Sequence, residues 1–321
     1  MNASVFFKLF PPPEFMQMDH AGLEISDDAI RCITFKNQTG DRKIENFLSV
    51  DLPKNLLIGG DTINPDGLRA ELSKFKEKAG LTYVKVSIPE EKAYLFQTDV
   101  PATDFSSIHQ NIESKLEENI PLMAKDAIFY FDLLPSVIPG GSLRASVSVV
   151  PRTYIEMILS LLHSVGLKPL AFEVVPRSLA HVLVPAHNDK TIMVVHIMDQ
   201  KIGVYVVSAG TVNFASTVNR EAVNSRDASR TPVEDTIAKE VIRIYEYWIS
   251  RPDTTTIQEV VLVGRGAQIY ESAIRDAVAS FSLKVTTPDI WQNICNVERC
   301  LPPISKEDSL AYAVVAGLAL S

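Results

Sequence analysis

Apolar and polar residues alternate through three successive short runs near the start of the chain, and the same arrangement returns in its second half. Residues 22–35 (GLEISDDAIRCITF) read as strand, tight acidic turn and strand. Residues 42–52 (RKIENFLSVDL) continue as a third strand after a polar turn holding Asn37, Thr39, Gly40 and Asp41. From about residue 65 the period changes. Leu68, Leu72, Phe75 and Ala79 share one helical face, and Gly80 stands where a left-handed C-terminal stop is expected. Residues 82–88 (TYVKVSI) return to strand, so the chain opens βββαβ.

The second half restarts this theme. Residues 191–197, 203–207 and 212–218 predict three strands joined by tight turns at Asp199-Gln200-Lys201 and Ala209-Gly210. Thr231-Pro232-Val233-Glu234 is a capping box with proline in the first helical position. Val233, Ile237, Val241, Ile244 and Trp248 trace the apolar face of the helix it opens, which Arg251-Pro252 ends. A buried strand at 260–263, a helix over 267–281 and a strand at 283–286 follow. The last helix, 309–320, is almost wholly apolar and must be enclosed by other elements.

Residues 89–165 break the repeat. A strand at 94–100 precedes a helix carrying Ile108, Ile112, Leu116 and Ile120 at four-residue spacing. A hairpin (127–134 and 143–150) turns at Pro139-Gly140-Gly141, and a helix over 154–164 is closed by Gly166. Strand, helix, hairpin, helix is the content of a small self-contained α+β unit. The expected division is therefore an apolar, proline-rich tail (1–20), a first body (21–88, 166–188 and 306–321), an inserted α+β unit (89–165) and a second body (189–305).

Composition narrows the function classes. A net charge of −8, with no Lys/Arg run in the sequence, argues against nucleic acid as the main partner. Three cysteines, Cys32, Cys295 and Cys300, form no disulfide framework and no zinc pattern, which fits a reducing cytoplasm. No apolar run approaches the roughly 20 residues of a membrane-spanning helix. The triple proline Pro11-Pro12-Pro13 breaks any signal-peptide core, so a cytoplasmic protein without a membrane span of its own is expected. Val5, Phe6, Phe7, Leu9 and Phe10 make the tail apolar enough to need cover, either in a groove of its own domain or on a membrane or partner.

Several stretches, in order, resemble the PilM family of type IV pilus assembly proteins, and more distantly the division protein FtsA. They are FFKLFPPPEFM with GLEISDDAIRCITF; SIPEEKAYLFQTDVP with IESKLEENIPL; YIEMILSLLHSVGLKPLAFEVVPRSLAHVL; EVIRIYEYWI with EVVLVGRGAQI; and AYAVVAGLAL, together spanning residues 6 to 320. The resemblance implies an α/β fold of the actin-like type, with two ribonuclease H-like βββαβα bodies and an inserted subdomain. It also implies a cytoplasmic scaffold, held at the inner membrane through partners. That scaffold would dock the short cytoplasmic tail of a bitopic PilN-like protein between core and insert, beside other pilus machine components. Two other readings stay open: an FtsA-like cytoskeletal protein, for which an amphipathic C-terminal anchor is expected, and a small-molecule kinase of the same fold.

The resemblance further implies ATP with Mg²⁺ in the cleft. The candidate contacts are Ser26, Asp27, Asp28 and Arg31 in the first turn and Gly264, Gly266 and Ala267 in a later loop. A phosphate cradle wants small residues, free amides and a cation. Here Ser26 replaces a glycine, two aspartates follow it, and Arg31 supplies the cation. In the second loop, His196 and Met198 stand where an Asp-x-Gly is expected. No hydrolytic carboxylate is evident there, and no other catalytic motif occurs. The expected protein is a scaffold with no catalytic residues, at most a degenerate ATPase, and its metal ligands stay unassigned. Candidate groove residues are Phe96, Ile108, Leu116, Phe129 and Phe131, most of them expected in the core.

Overall fold

The computed structural model describes residues 19–38, 41–101, 103–138, 142–184, 189–220, 233–251, 255–295 and 302–321. Residues 1–18 of the expected tail, the start of the capping box, the Pro139-Gly140-Gly141 turn and Pro252 lie outside the described residues.

The chain begins with strands β1 (Ala21–Ile25), β2 (Ala29–Gln38) and β3 (Asp41–Asp51). A two-residue antiparallel ladder, β4 (Leu57–Ile58) with β5 (Asp61–Thr62), adds to the expected elements. Its signal is the pair Gly59-Gly60, both with positive φ, which is the backbone a two-residue hairpin turn demands. Helix α1 (Pro65–Ala79) opens on Asn64, whose side chain accepts from the Gly67 N–H, and closes at left-handed Gly80. Strand β6 (Tyr83–Ile88) follows.

The insert comprises β7 (Tyr94–Pro101), α2 (Phe105–Asn119), β8 (Ala127–Ile138) and β9 (Ser142–Pro151). Its three strands form a separate sheet in the order β7-β9-β8. That sheet and α2 enclose a core of their own around Ile108, Ile112, Leu116, Ala145 and Val147. The helix expected to complete this unit, α3 (Arg152–Ser164), packs elsewhere. Its buried residues Ile158, Leu161 and Leu162 join Leu23, Leu68, Leu72 and Phe75 of the first body. Periodicity identified the helix but gave no information about which sheet its apolar stripe would cover.

Strand β10 (Lys168–Val174) and helix α4 (Val175–Leu183) return to the first body. The first sheet then has the order β10-β6-β1-β2-β3, with β2 antiparallel to β1 and β3, and β6 parallel to β1 and β10. The second body repeats it with β11 (Thr191–Ile197), β12 (Lys201–Ser208), β13 (Thr211–Asn219), α5 (Val233–Ser250) and β14 (Glu259–Gly264). Helix α6 (Glu271–Ala277) and strand β15 (Lys284–Thr286) complete the repeat. Its sheet runs β15-β14-β11-β12-β13 with the same directions. Two sheets of identical topology make the duplication a structural fact, although the two copies read differently in sequence.

The chain ends in α7 (Lys306–Ser309) and α8 (Ala313–Leu320). Helix α8 is buried along six of its eight residues, as its composition requires. It lies on β1 where Gly22 leaves no side chain in the way: a Cβ there would sit 2.0 Å from the Val315 carbonyl oxygen. Gly317 does the same toward α4, with a Cβ falling 1.8 Å from the Ser178 carbonyl oxygen. Helices α4 and α8 thus form the packed layer between the bodies, and their apolar residues merge with the second sheet in one core.

Candidate functional site

The β1–β2 turn and the β11–β12 turn face each other across a cleft between the two bodies. Its walls carry Glu24, Ser26, Asp27, Asp28, Glu90 and Glu91 from the first body, and His196, Met198, Asp199 and Lys201 from the second. The first turn is closed on itself. Ser26 N–H donates to the Ala29 carbonyl at 2.9 Å, and Ala29 N–H donates to Ser26 Oγ at 3.2 Å. Ser26 Oγ in turn donates to Asp28 at 2.7 Å.

Arg31 is not an available cation, contrary to expectation. It is 6% exposed, and its guanidinium holds Asp28 at 2.8 Å and Glu24 at 3.3 Å. Arg31 reaches the turn from β2, and Glu24 is brought to it by strand pairing, opposite Arg31 in the β1–β2 register. Burial pushes the Glu24 carboxyl up to about 7, against the pull of Arg31. Burial also raises Asp28, but Arg31 and the Ser26 hydroxyl overcome it and hold that carboxyl below its ordinary value. Burial holds His196 below the ordinary histidine range, and its Nδ1 has no hydrogen-bond partner among the described residues.

Asp27 points away from the turn. It accepts from the N–H groups of Gly59 and Gly60, at 2.8 and 3.0 Å, and lies 3.2 Å from Lys201 Nζ of the second body. Lys201 also pairs with Glu91. Beside it the Tyr205 hydroxyl donates to Glu90 at 2.6 Å. Gly203 is what admits that hydroxyl, since a Cβ there would stand 2.0 Å from it. The second turn is sealed in the same way: Met198 N–H donates to Lys201 O at 3.0 Å and Arg220 donates to Met198 O at 2.7 Å.

Gly264, Gly266 and Ala267 do not line this cavity, whereas Ser26, Asp27 and Asp28 do. Gly264 is a packing glycine, φ 104°, whose Cβ would fall 2.0 Å from the Ile197 carbonyl oxygen. Gly266 is left-handed and precedes a tight turn at Ala267–Tyr270, closed by Ile269 N–H onto Gly266 O. The helix expected over 267–281 is thereby reduced to the seven residues of α6, whose first turn begins with the acidic Glu271.

The residues present do not fit a nucleoside triphosphate with magnesium. The cavity volume is about 50 Å³. Small-molecule sites run to roughly 300 Å³ or more. Six carboxylates face this space, with Lys201 as the cationic residue of its wall, and Lys201 is already paired.

A second concavity, about 250 Å³, lies between the insert and the first body. Ile128, Tyr130 and Val150 of the insert face Ile155, Phe172 and Val174 across it. Strands β8 and β10, which border it, are each the outer strand of their sheet. At one end Arg177 of α4 spans the gap. It donates to Glu173 at 2.9 Å and Asp132 at 3.2 Å, and its guanidinium lies 4.1 Å over the Tyr130 ring. His181 Nε2 reaches the same Glu173 carboxylate at 2.8 Å. Of the five residues expected to line a groove, Phe129 borders this one. Ile108, Leu116 and Phe131 are buried in the insert core, and Phe96 packs against it. The insert also rests on the second body, where Ser146 Oγ donates to Val212 O at 2.6 Å and Gln97 to Asn213 Oδ1 at 2.8 Å.

Among the described residues no helix is long and apolar enough to cross a membrane, and no group of metal-ligating side chains occurs. No family model matches the chain, and no curated protein matches it in sequence. Its backbone is similar to a chain of the PilM–PilN type IV pilus biogenesis complex, with a TM-score of 0.79 at 18% identity, covering 94% of this chain and 98% of that one. The ethanolamine utilization protein EutJ from Carboxydothermus hydrogenoformans gives 0.51 at 12% identity, covering 97% and 90%. At such identities what is shared is the fold. The chain has the actin-like fold, in which two bodies of identical sheet topology close on a cleft and an α+β insert stands on the first.

Proposed function

We propose that this chain is a PilM-type scaffold of a type IV pilus or related secretion machine. In this reading it holds an extended, largely apolar segment of a PilN-like, membrane-anchored partner in the groove between insert and first body. The groove itself carries the reading. It is apolar along its walls, has a fixed polar end at Arg177 and Glu173, and is bordered by two outer strands whose edges can accept an added chain. The likeness to a chain of the PilM–PilN complex supports it. The cleft supports a structural rather than a catalytic role, because Glu24, Asp27, Asp28, Glu90, Glu91, Arg31 and Lys201 are all bound within the protein. An inner-membrane position would follow from the partner.

The test is fluorescence anisotropy with a labelled peptide of the cytoplasmic segment of a PilN-like protein from the same genome. Ile128→Arg, at the exposed rim, is expected to weaken binding at least tenfold with circular dichroism unchanged. Equal binding by the wild type and Ile128→Arg would refute the groove as the site.

A further inference from the structure

The cleft is held together by groups that belong to opposite bodies. Lys201 leaves the start of β12 and reaches Asp27 of the β1–β2 turn, at 3.2 Å, and Glu91, which follows β6. All three side chains are at least three-quarters shielded from solvent, so bulk water and salt screen them less than an ordinary surface pair. Asp27 passes the contact on to the backbone of the β4–β5 turn through the Gly59 and Gly60 amides. The Tyr205 hydroxyl on Glu90 is a second, fully buried bond between the bodies. Arg265 to Asp51, at 3.2 Å, is a third and exposed one.

A bound anion would need free N–H donors and a free cation on these turns. Two amides of the first turn, those of Ser26 and Ala29, the Arg31 guanidinium beside it and the Lys201 ammonium of the second turn are engaged within the protein. A ligand shifts a closing equilibrium only by its difference in affinity for the two states. Where internal pairs already supply the closing contacts, nucleotide has no such difference to exert.

We propose that the cleft is a built-in clamp, in which Lys201, set between Asp27 and Glu91 and supported by Tyr205 on Glu90, keeps the two bodies closed without nucleotide. The insert, which touches both bodies, is thereby held in one position whatever the nucleotide level. This clamp does not depend on what the groove binds.

The test uses the full chain. Wild-type protein is melted with and without about 5 mM MgATP. A site of about 50 μM affinity, hundredfold saturated at that level, raises Tm by several degrees; no shift is expected. Amide exchange is then followed at Gly59 and Gly60. Lys201→Met is expected to accelerate it at least tenfold, whereas Lys201→Arg keeps it near the wild-type rate. A MgATP shift of several degrees in the wild type, or unchanged exchange in Lys201→Met, overturns the proposal. If Lys201→Met yields no folded protein, the wild-type melt with MgATP decides the matter.

Discussion

Replacing Glu24 by glutamine isolates the electrostatic cost of burying an acid in the cleft. The Glu24 carboxyl titrates at about 7 in the folded chain, against an ordinary value of 4.5. Below the ordinary value it is neutral whether the chain is folded or not. As pH rises, the unfolded chain ionises first while the folded one keeps its proton, so stability falls until the folded group ionises as well. A difference of about 2.5 pH units corresponds to about 3 kcal/mol, of which about 2.5 kcal/mol falls between pH 5 and 8. Glutamine has no such slope. The neighbours Arg31, Asp28, Glu90 and His196 are common to both proteins and cancel to first order in the comparison. Asp28, held below its ordinary value, contributes stability that is lost only below about pH 4, outside this window. Urea unfolding at pH 5 and pH 8, for both proteins, gives four free energies. The advantage of Glu24→Gln over the wild type is expected to be about 2.5 kcal/mol larger at pH 8 than at pH 5. A constant offset at the two pH values would show that Glu24 is ionised throughout in the folded chain, and the account of a costly buried carboxyl would be wrong.

Two further substitutions test the packing that positions these sites. Gly317→Ala places a Cβ 1.8 Å from the Ser178 carbonyl oxygen in the helix layer between the bodies. It is expected to cost about 3 kcal/mol or more in urea unfolding, and a loss below about 1 kcal/mol would mean that α4 and α8 separate easily. Ile112→Ala removes a fully buried side chain from the insert core and is expected to cost about 3 kcal/mol there. Amide exchange should rise in β7 and β9 while β11 keeps its protection. A uniform rise would show that the insert has no stability of its own.

Strand alternation and helical period exposed both βββα openings, because those signals depend on neighbours a few residues apart. Gly80 and Gly22 illustrate the limit. Gly80 ends a helix by its own left-handed backbone and could be assigned by eye, whereas the need for Gly22 exists only once α8, nearly 300 residues later, is laid on β1. The apolar face of α3 was equally plain, yet it covers the first body and not the insert. The chemistry of the candidate sites lies beyond the sequence on the same ground. The sequence marks Ser26, Asp27 and Asp28 as a turn with Arg31 just after it, but whether they form a phosphate cradle or a closed ionic knot is decided by Glu24 across a strand pair and by Lys201, 174 residues from Asp27. A turn donates to an anion only with amides and cations left unspent, and that remainder is a property of the folded chain. The groove is further still from the sequence, since its walls are outer strands of two separate sheets. Where identity to proteins of the same fold is this low, cleft chemistry has to be read from the partners of each charged group. Here those partners are other residues of the chain itself.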